Sequence, residues 1–514
     1  MSNVMNPTST PVGAAARAGA IPDPRRWLIL VVVGLAQLMV VLDVTIVNIA
    51  LPSAQADLGF TTTDRQWVVT AYALAFGSLL LLGGRLGDLI GRKVTFLVGA
   101  LGFAAASAVG GAATSFGMLV AARGAQGAFG ALLAPAALSI LSTTFSDPKE
   151  RGKAFGVYGA IVGAGGAVGL VLGGVLTEYL SWRWCLYVNL ILAGIVGTGA
   201  VLLLKQQRAS ARPRLDLLGV ALVSASMFCL VYGFSNAATH HWATPSTYGF
   251  LAAGAVLLAA FASWQARAAS PLLPPRVVLD RDRGGAYLAV LVAGAGMAGV
   301  FLFLTYYMQQ TLGYSPVVSG VAFLPMIAMV VVSANLSNVV LLPRLGPRPL
   351  VIVGMLLAAG SLVWLTGIGL HSGYAATVLG PLMVTGLGFG FALAPSMNTG
   401  TLGVAPEDAG VASATLNTGQ QIGGSIGTSL LNTIFASAVA HYLTSHPGPS
   451  SAGLSLIHGY TTGFWVAAAI FAAGAVICGA LFRPGPLRAY GPATAEQTGT
   501  AAPQPAAAPV HAAA

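Results

Sequence analysis

The stretch Gly84-Arg85-Leu86-Gly87-Asp88-Leu89-Ile90-Gly91-Arg92-Lys93 separates two apolar runs, residues 66–83 and 94–113. Each run has about the 20 residues that an α-helix needs to cross a bilayer. Glycines in the stretch permit a tight turn and a close approach of helices. A loop that only orients the chain would explain Arg92 and Lys93, whereas Asp88 can also accept hydrogen bonds from arginines or helix N termini. The stretch therefore predicts two membrane spans joined by a charged turn that contacts neighbouring helices.

Composition extends this interpretation to the whole chain. Of the 514 residues, 56% are hydrophobic and 7% are charged, whereas about a quarter of a soluble domain is charged. The charges fall in short clusters between apolar runs, which excludes a soluble multidomain protein. The runs predict about fourteen membrane spans, at residues 27–50, 66–83, 94–113, 116–138, 153–176, 184–204, 216–236, 248–266, 286–309, 317–340, 350–370, 374–398, 410–438 and 460–482.

The distribution of basic residues predicts the orientation. With an even number of spans both termini lie on one side of the membrane, and all but three of the 24 Lys and Arg residues fall on that side. The exceptions are Arg65, Arg123 and Arg183. Because basic loops stay in the cytoplasm, we expect cytoplasmic termini and a multi-pass protein of the inner, or cytoplasmic, cell membrane. Orientation also accounts for the net charge of +10 without a nucleic acid partner.

An internal repeat relates two halves of the chain. Pro148, Glu150, Gly152, Ala154, Gly165, Gly166 and Gly169 match Pro406, Asp408, Gly410, Ala412, Gly423, Gly424 and Gly427 at a constant offset of 258 residues. Many secondary transporters consist of repeated halves with a site near the bilayer midplane. We therefore predict an all-α polytopic fold with two pseudo-symmetric six-helix bundles, residues 25–210 and 271–483, and two inserted helices within residues 211–270. The tails, residues 1–24 and 484–514, are predicted to be disordered and cytoplasmic.

Two charges lie inside predicted spans. Asp43 lies about 16 residues into the first span, or roughly 24 Å along a helix, and Arg123 about 7 residues, or roughly 10 Å, into the fourth, which enters from the other side. The two depths agree, so the side chains can pair. Ionisable groups within a membrane are costly and usually functional. We hypothesise that Asp43 carries a proton, with burial favouring the neutral acid and the guanidinium favouring the carboxylate; a static buried ion pair is the alternative.

The residues around these charges resemble known signatures. Leu42-Asp43-Val44-Thr45-Ile46-Val47-Asn48-Ile49-Ala50-Leu51-Pro52 is similar to the first-span signature of the fourteen-span drug:proton antiporters, the QacA/EmrB-like branch of the major facilitator superfamily. Leu119 to Gly130 resembles the fourth-span signature of that branch, and residues 84–93 resemble the loop signature of the superfamily. Other matching stretches are Trp182-Arg183-Trp184 with Asn189, Asp216-Leu217-Leu218-Gly219, Tyr306-Tyr307-Met308-Gln309-Gln310, Gly313-Tyr314-Ser315-Pro316, and Gly410 through Asn417, Gln420, Gln421 and Gly427.

The resemblance implies a major facilitator fold and a proton-coupled antiporter that exports lipophilic drugs or antibiotics by alternating access. Proton coupling would belong to Asp43 and Arg123, and conformational gating to Gly84, Arg85, Asp88, Gly91, Arg92 and Lys93. The corresponding stretch of the second half, residues 343–348, lacks the acid. Glycines of the antiporter signature and its repeat are Gly165, Gly169, Gly173, Gly174, Gly419, Gly423 and Gly427, although ordinary close helix packing also explains them. Leu170 stands where the signature has proline.

Polar side chains within the spans are candidates for a substrate cavity with apolar walls. They are Asn48, Tyr72, Gln126, Tyr306, Gln309, Asn398, Asn417 and Gln420. Hydrogen bonding between helices is the alternative for each of them. Because Asp43 is the single acid in mid-span, we expect neutral, zwitterionic or singly charged lipophilic substrates.

The sequence lacks the features that mark several other function classes. Cys185, Cys229 and Cys478 are isolated in apolar runs, which indicates neither disulfides nor a metal site. No GxxxxGK[ST] motif is present, so we expect no cofactor, and a proton gradient rather than ATP as the energy source. We expect the chain to function as a monomer in the bilayer, with protons and a lipophilic small molecule as its partners. Export of one endogenous metabolite, or an uptake or facilitative transporter, remains an alternative because one fold supports many functions; an intramembrane enzyme or receptor is the alternative from another class.

Overall fold

The computed structural model describes residues 24–60, 65–145, 147–206, 216–239, 242–268, 271–405, 408–448 and 451–486. Over these ranges the chain is helical and contains no strand. The long helices are α1 (Arg26–Leu58), α2 (Arg65–Ile90), α3 (Arg92–Gly111), α4 (Phe116–Thr144), α5 (Pro148–Tyr179), α6 (Trp184–Leu203), α7 (Leu217–Thr239), α8 (Pro245–Gln265), α9 (Arg281–Thr311), α10 (Val317–Leu345), α11 (Pro347–Leu365), α12 (Leu379–Thr401), α13 (Ala409–Ser445) and α14 (Ser451–Leu481).

These fourteen helices confirm the predicted all-α polytopic fold. In the described part of the chain, thirteen of them are long and apolar enough to cross a membrane. The remaining one is α5, which begins with the charged residues Lys149, Glu150 and Arg151. Two helices are irregular: α9 ends in a π-helical turn, Tyr307–Thr311, and α10 contains another, Leu336–Leu341. Such turns interrupt the regular backbone ladder and frequently occur at functional positions.

The predicted repeat corresponds to the same helix contact in each half. Glycines of α5 face α1, and a Cβ at Gly169 would lie 3.2 Å from the carbonyl oxygen of Leu42. Glycines of α13 face α9 in the same way, and a Cβ at Gly423 would lie 2.0 Å from the carbonyl oxygen of Leu291. In both helix pairs, small residues therefore let the backbone of one helix pack directly against the backbone of the other.

The two groups of six helices contact each other along shared seams. Within the first group, α4 packs against α2 and α3, while α1 packs against α5 and α6. Within the second, α9 packs against α13, and α11 lies between α12 and α14. Between the groups, α5 contacts α10 and α12, and α2 contacts α13. The inserted helix α7 pairs with α8 and contacts both α2 and α13, so it lies over that second seam.

The proposed limits of the bundles stay predictions, since the connecting residues 207–215 and 269–270 lie outside the described part. The tails predicted at 1–24 and 484–514 also lie outside it, apart from residues 24 and 484–486. We call the end of the molecule that carries Arg85, Arg92 and Arg151 the basic end. The opposite end carries Asp57 and Arg183, which form an ion pair of 2.9 Å.

Candidate functional site

A buried ion pair lies in the middle of the first group of helices. Arg123 Nη1 of α4 donates to Asp43 Oδ2 of α1 over 2.5 Å. The exposed fractions of the two side chains are 1% and 0%, respectively. The structure thus brings together the two charges that the sequence places at equal depth. Removing one partner of such a pair leaves a buried charge uncompensated, which is strongly unfavourable.

Neutral donors complete the surroundings of the carboxylate. Gln126 Nε2 and Asn189 Nδ2 both donate to Asp43 Oδ1, over 2.9 and 2.8 Å. Gln126 Oε1 in turn accepts from Arg123 Nη1 over 2.9 Å. Ser107 Oγ of α3 accepts from both amides, over 2.7 and 3.3 Å. We call Asp43, Arg123, Gln126, Asn189 and Ser107 the Asp43 cluster; it joins α1, α3, α4 and α6.

Helix α2 supplies the remaining contacts of the Arg123 guanidinium. Arg123 Nε donates to the carbonyl oxygen of Val68 over 3.2 Å, and the guanidinium carbon lies 4.5 Å from the centre of the Tyr72 ring. A cation over an aromatic face is stabilised by the ring quadrupole. Tyr72, predicted to line the cavity, therefore contacts the ion pair. Neither Val68 nor Ser107 was predicted, because a backbone carbonyl and a lone serine leave no distinctive sequence signal.

The charged turn contacts the second group of helices at the basic end. Asp88 Oδ1 accepts from the backbone N–H of Gly410 over 3.1 Å, at the first turn of α13. An anion is favoured there by the helix dipole and the free N–H groups. A Cβ at Gly84 would lie 2.6 Å from the carbonyl oxygen of Gly410, so glycine is required for this approach. The prediction that Asp88 accepts from a helix N terminus is confirmed.

The remaining residues of the turn lie at the basic end, and Arg92 and Lys93 have polar or charged partners there. Gly91 has a φ of 101°, a conformation that favours glycine, and it directly precedes α3. Arg92 Nη2 lies 3.9 Å from Asp88 Oδ1. Lys93 Nζ donates to the carbonyl oxygens of Val201 and Leu204 at the end of α6, where a cation is favourable. Arg85 is buried at the same end.

A second buried arginine joins the two halves at the basic end. Arg151 of α5 donates to Asn398 Oδ1 over 2.8 Å, to Thr401 Oγ1 over 2.6 Å and to the carbonyl oxygen of Ser142 over 2.7 Å. Asn398 Nδ2 also donates to Asn338 Oδ1 of α10 over 3.3 Å. We call Arg151, Asn398, Thr401, Asn338 and Ser142 the Arg151 cluster. Asn398, predicted to line the cavity, lies within this cluster.

The other predicted cavity residues are dispersed. Asn417 donates to the carbonyl oxygen of Ser413 on its own helix over 2.9 Å. Tyr306 and Gln309 lie at and within the π-helical turn of α9 and are partly exposed, and Gln420 is partly exposed on α13. The side chains of Asn48 and Leu170 lie outside the described residues. None of the described hydrogen bonds joins these residues to the Asp43 cluster.

The predicted packing glycines lie against other helices. Gly165, Gly169 and Gly173 contact α1, Gly423 and Gly427 contact α9, and Gly174 faces Val317 of α10. A Cβ at Gly419 would lie 3.3 Å from the carbonyl oxygen of Tyr287 in α9.

A small apolar cavity lies beside the ion pair, toward the opposite end. It is lined by Val47, Ala50, Leu51, Ala54, Val68, Leu119, Trp182 and Leu186. Val68, whose carbonyl accepts from Arg123, belongs to this lining. Over the described ranges no group of three His, Cys, Asp or Glu residues could hold a metal ion.

Comparison with known proteins identifies similar chains. A family model described as Major Facilitator Superfamily matches residues 33–428. The "Puromycin resistance protein pur8" of Streptomyces alboniger is 48% identical over 477 residues, covering 92% of this chain and 94% of that protein. The "Cephamycin export protein CmcT" of Amycolatopsis lactamdurans is 40% identical, covering 82% and 88%, respectively.

Two further comparisons extend this result. The "Tetracenomycin C resistance and export protein" of Streptomyces glaucescens is 38% identical over 84% of this chain and 79% of that protein. The crystal structure of the human organic anion transporter MFSD10 (TETRAN) superposes with a TM-score of 0.61 at 15% identity, covering 89% of this chain and all of that one. At that identity the superposition supports the fold alone.

Proposed function

Because the chain belongs to the major facilitator superfamily, we propose that it is a proton-coupled antiporter that exports lipophilic antibiotics by alternating access. It is a multi-pass membrane transporter and not an enzyme. The proposal places it in the cytoplasmic membrane, with both termini and the basic end in the cytoplasm and the proton gradient as energy source. It needs no cofactor and acts as a monomer on a lipophilic small molecule.

The Asp43 cluster is the observation that carries proton coupling. Asp43 is fully buried, and its carboxylate contacts one guanidinium and two amides that lie on other helices. Protonation would remove the negative charge and weaken all three contacts at once. The packing of α1 against α4 and α6 then depends on whether Asp43 is charged, which is what coupling of a proton to a conformational change requires.

Contacts between the halves support alternating access. Two hydrogen bonds close the basic end. Asp88 accepts one from the N terminus of α13, and Arg151 donates the other to Asn398 of α12. Both are polar contacts between surfaces that separate when this end opens. Opening toward the cytoplasm therefore has to break hydrogen bonds, and water can replace them afterwards.

The names of the relatives support the class of substrate. Three of them are named for resistance to, or export of, puromycin, cephamycin or tetracenomycin C. We therefore propose export of an antibiotic or a compound of similar character, and puromycin is the first compound to test.

Transport in everted membrane vesicles tests the proposal. The vesicles come from an efflux-deficient bacterium, and puromycin uptake is measured with and without an imposed pH difference, acidic inside. We expect the wild-type chain to accumulate puromycin only with the gradient, and Asp43→Asn to abolish this accumulation. Asp57→Asn is the matched control, because the same substitution then falls on a partly exposed acid at the opposite end. Equal uptake without a gradient, or gradient-driven uptake by Asp43→Asn, would refute proton coupling.

A narrower function is the second candidate. Each of the three relatives is named for one compound, which favours export of a single metabolite over broad drug efflux. A panel of chemically different antibiotics, each tested for competition with puromycin uptake, separates the two. Competition by one chemical class alone favours the narrow exporter, and competition across the panel favours the multidrug exporter.

A further inference from the structure

Asn189 is the contact of Asp43 that lies farthest from it along the chain. The side chain is fully buried on α6, and its Nδ2 lies 2.8 Å from Asp43 Oδ1 and 3.3 Å from Ser107 Oγ. A carboxylate can only accept hydrogen bonds, so the amide must present its N–H groups to it. Asn189 therefore acts on Asp43 as a hydrogen-bond donor.

The two amides at Asp43 differ in the partners of their oxygens. Gln126 Oε1 accepts a hydrogen bond from Arg123, so Gln126 is held within the ion pair itself. Asn189 Oδ1 is buried and has no hydrogen-bond partner among the described residues. A buried unpaired acceptor costs about 1–3 kcal/mol, and a leucine of similar size would avoid that cost. The favourable contacts of this side chain are therefore those that its Nδ2 makes with Asp43 and Ser107.

Helix α6 holds Asn189 in place. At the start of α6, Arg183 donates to the carbonyl oxygens of Gly111 and Ala113 and to Asp57 Oδ2, which fixes the helix to the ends of α3 and α1. Lys93 of α3 donates to the carbonyl oxygens at the other end of α6. Both ends of α6 are thus joined to α3, and the amide is carried by a fixed element.

The electrostatic surroundings of Asp43 come from four helices. Arg123 of α4 pairs with it, and Tyr72 of α2 and Cys185 of α6 are the titratable groups close enough to interact with it among the described residues. Helix α3 contributes the neutral Ser107. A hydrogen bond donated to a carboxylate favours its charged form. Loss of one donor therefore weakens the stabilisation of the charged carboxylate.

We propose that Asn189 is a positioning residue for Asp43, whose amide holds the carboxylate against Arg123 and stabilises its charged form. This inference rests on the proposed proton coupling. In this inference Asn189, on α6, helps to set the pH range in which transport operates. The proton itself passes only to and from Asp43.

The pH profile of transport in proteoliposomes tests the inference. Puromycin transport is measured at a fixed pH difference while the absolute pH is varied, and puromycin exchange without a gradient is measured alongside. We expect Asn189→Leu to move the half-maximal pH upward by about one unit, the shift that loss of one hydrogen bond to a charged group produces. The exchange rate is compared with the gradient-driven rate, because exchange does not require net proton transfer.

A second variant and a matched control keep the test decisive. Asn189→Asp retains the shape but places a second acid against Asp43, so it should move the profile upward by more than Asn189→Leu. If Asn189→Leu does not accumulate in the membrane, the pH profile of Asn189→Asp alone decides the outcome. Asn236→Leu removes a buried amide of α7 that donates to Ser246 and Thr247, and it should leave the half-maximal pH unchanged.

The outcomes separate the inference from the function on which it rests. An unchanged or lowered half-maximal pH in both Asn189 variants refutes the inference, even where Asp43→Asn still abolishes coupling. If the wild-type chain transports puromycin without regard to the gradient, the proposed proton coupling fails first, whatever the Asn189 variants do.

Discussion

Arg151 of α5 donates a hydrogen bond of 2.8 Å to Asn398 Oδ1 of α12, and this contact joins the two halves of the transporter at the basic end. Its guanidinium also contacts Thr401 Oγ1 and the carbonyl oxygens of Asn398 and Ser142. All of these acceptors are neutral oxygens. The arginine is buried, so its charge is stabilised by oriented dipoles and not by an opposite charge.

Replacing this arginine should favour opening of the basic end. In Arg151→Met the acceptor oxygens of Asn398 and Ser142 stay buried without donors in the closed form, which costs about 1–3 kcal/mol for each such group. In the open form water can reach them. We expect the ratio of closed to open molecules to fall by at least about tenfold, the factor that corresponds to 1.4 kcal/mol.

Spin labels measure this change. Lys149 and Leu345 are exposed on either side of the seam, and labels attached there after replacement of the native cysteines report the separation of the halves. The distance distribution should shift to longer values in Arg151→Met. Lys153→Met, an exposed position on the same helix, is the control; an equal shift in both variants would contradict the prediction.

The Arg151 cluster also shows what the sequence could not supply. The helices could be predicted from the length of the apolar runs, and the repeat from the spacing of its glycines. The pairing of Asp43 with Arg123 could be predicted because each charge lies at a depth that can be counted from the end of its own span. Contact between Arg151 and Asn398 depends on how α5 crosses α12, which neither segment specifies. An amide in a span suits a cavity wall as well as a helix contact, and this ambiguity placed Asn398 in the predicted cavity.

The contact between α2 and α13 should tolerate no side chain at Gly410. A Cβ there would lie 2.3 Å from the carbonyl oxygen of Gly84 and 2.7 Å from the carboxylate of Asp88. Gly410→Ala should therefore cost about 1–3 kcal/mol through overpacking and lower the melting temperature in detergent and the rate of puromycin transport. Gly424→Ala is the matched control on the same helix, because its Cβ would meet no atom within 4 Å. It should be neutral or stabilising, since alanine has the higher helix propensity, and equal losses in both variants would contradict this account.

The ion pair makes Arg123 essential for stability as long as Asp43 is present. Arg123→Gln leaves a buried carboxylate without its cation, a loss of about 3–5 kcal/mol. Asp43→Asn in the same chain removes that charge, so the double variant should recover most of the lost thermal stability but no proton-driven transport. Melting temperatures of the wild type, the two single variants and the double variant form a double-mutant cycle. Additive losses would show that the two side chains do not interact.

Asp216 should make the inserted helices sensitive to acid. Burial raises the pKa of its carboxyl, but hydrogen bonds from the Gly219 N–H, Trp264 and Gln265 outweigh this and leave the pKa below its ordinary value. Its contribution to stability is therefore present above the unfolded pKa of about 3.9 and is lost as the pH falls through the lower folded value. Asp216→Asn should melt earlier than the wild type at pH 7, by a modest amount because the group is partly exposed to solvent. The difference should vanish in strong acid, and a difference that is constant with pH would rule out this origin.

The scarcity of acids predicts which cations are excluded. Within the described spans, Asp43 is the acid near mid-span, and it is paired with Arg123. The buried acids Asp282 and Asp408, and Asp88 with its largely covered side chain, lie at the basic end. A second positive charge on a substrate would therefore enter the interior without a counter-ion, at a cost of several kcal/mol. Ethidium and propidium share a ring system but carry one and two fixed charges, respectively. Added to both sides of proteoliposomes, ethidium should inhibit puromycin exchange at a concentration at least about tenfold lower than propidium, because 1.4 kcal/mol already corresponds to that factor. Equal inhibition by propidium, lost on Asp43→Asn alone, would instead mean that this carboxylate leaves Arg123 to bind the second charge.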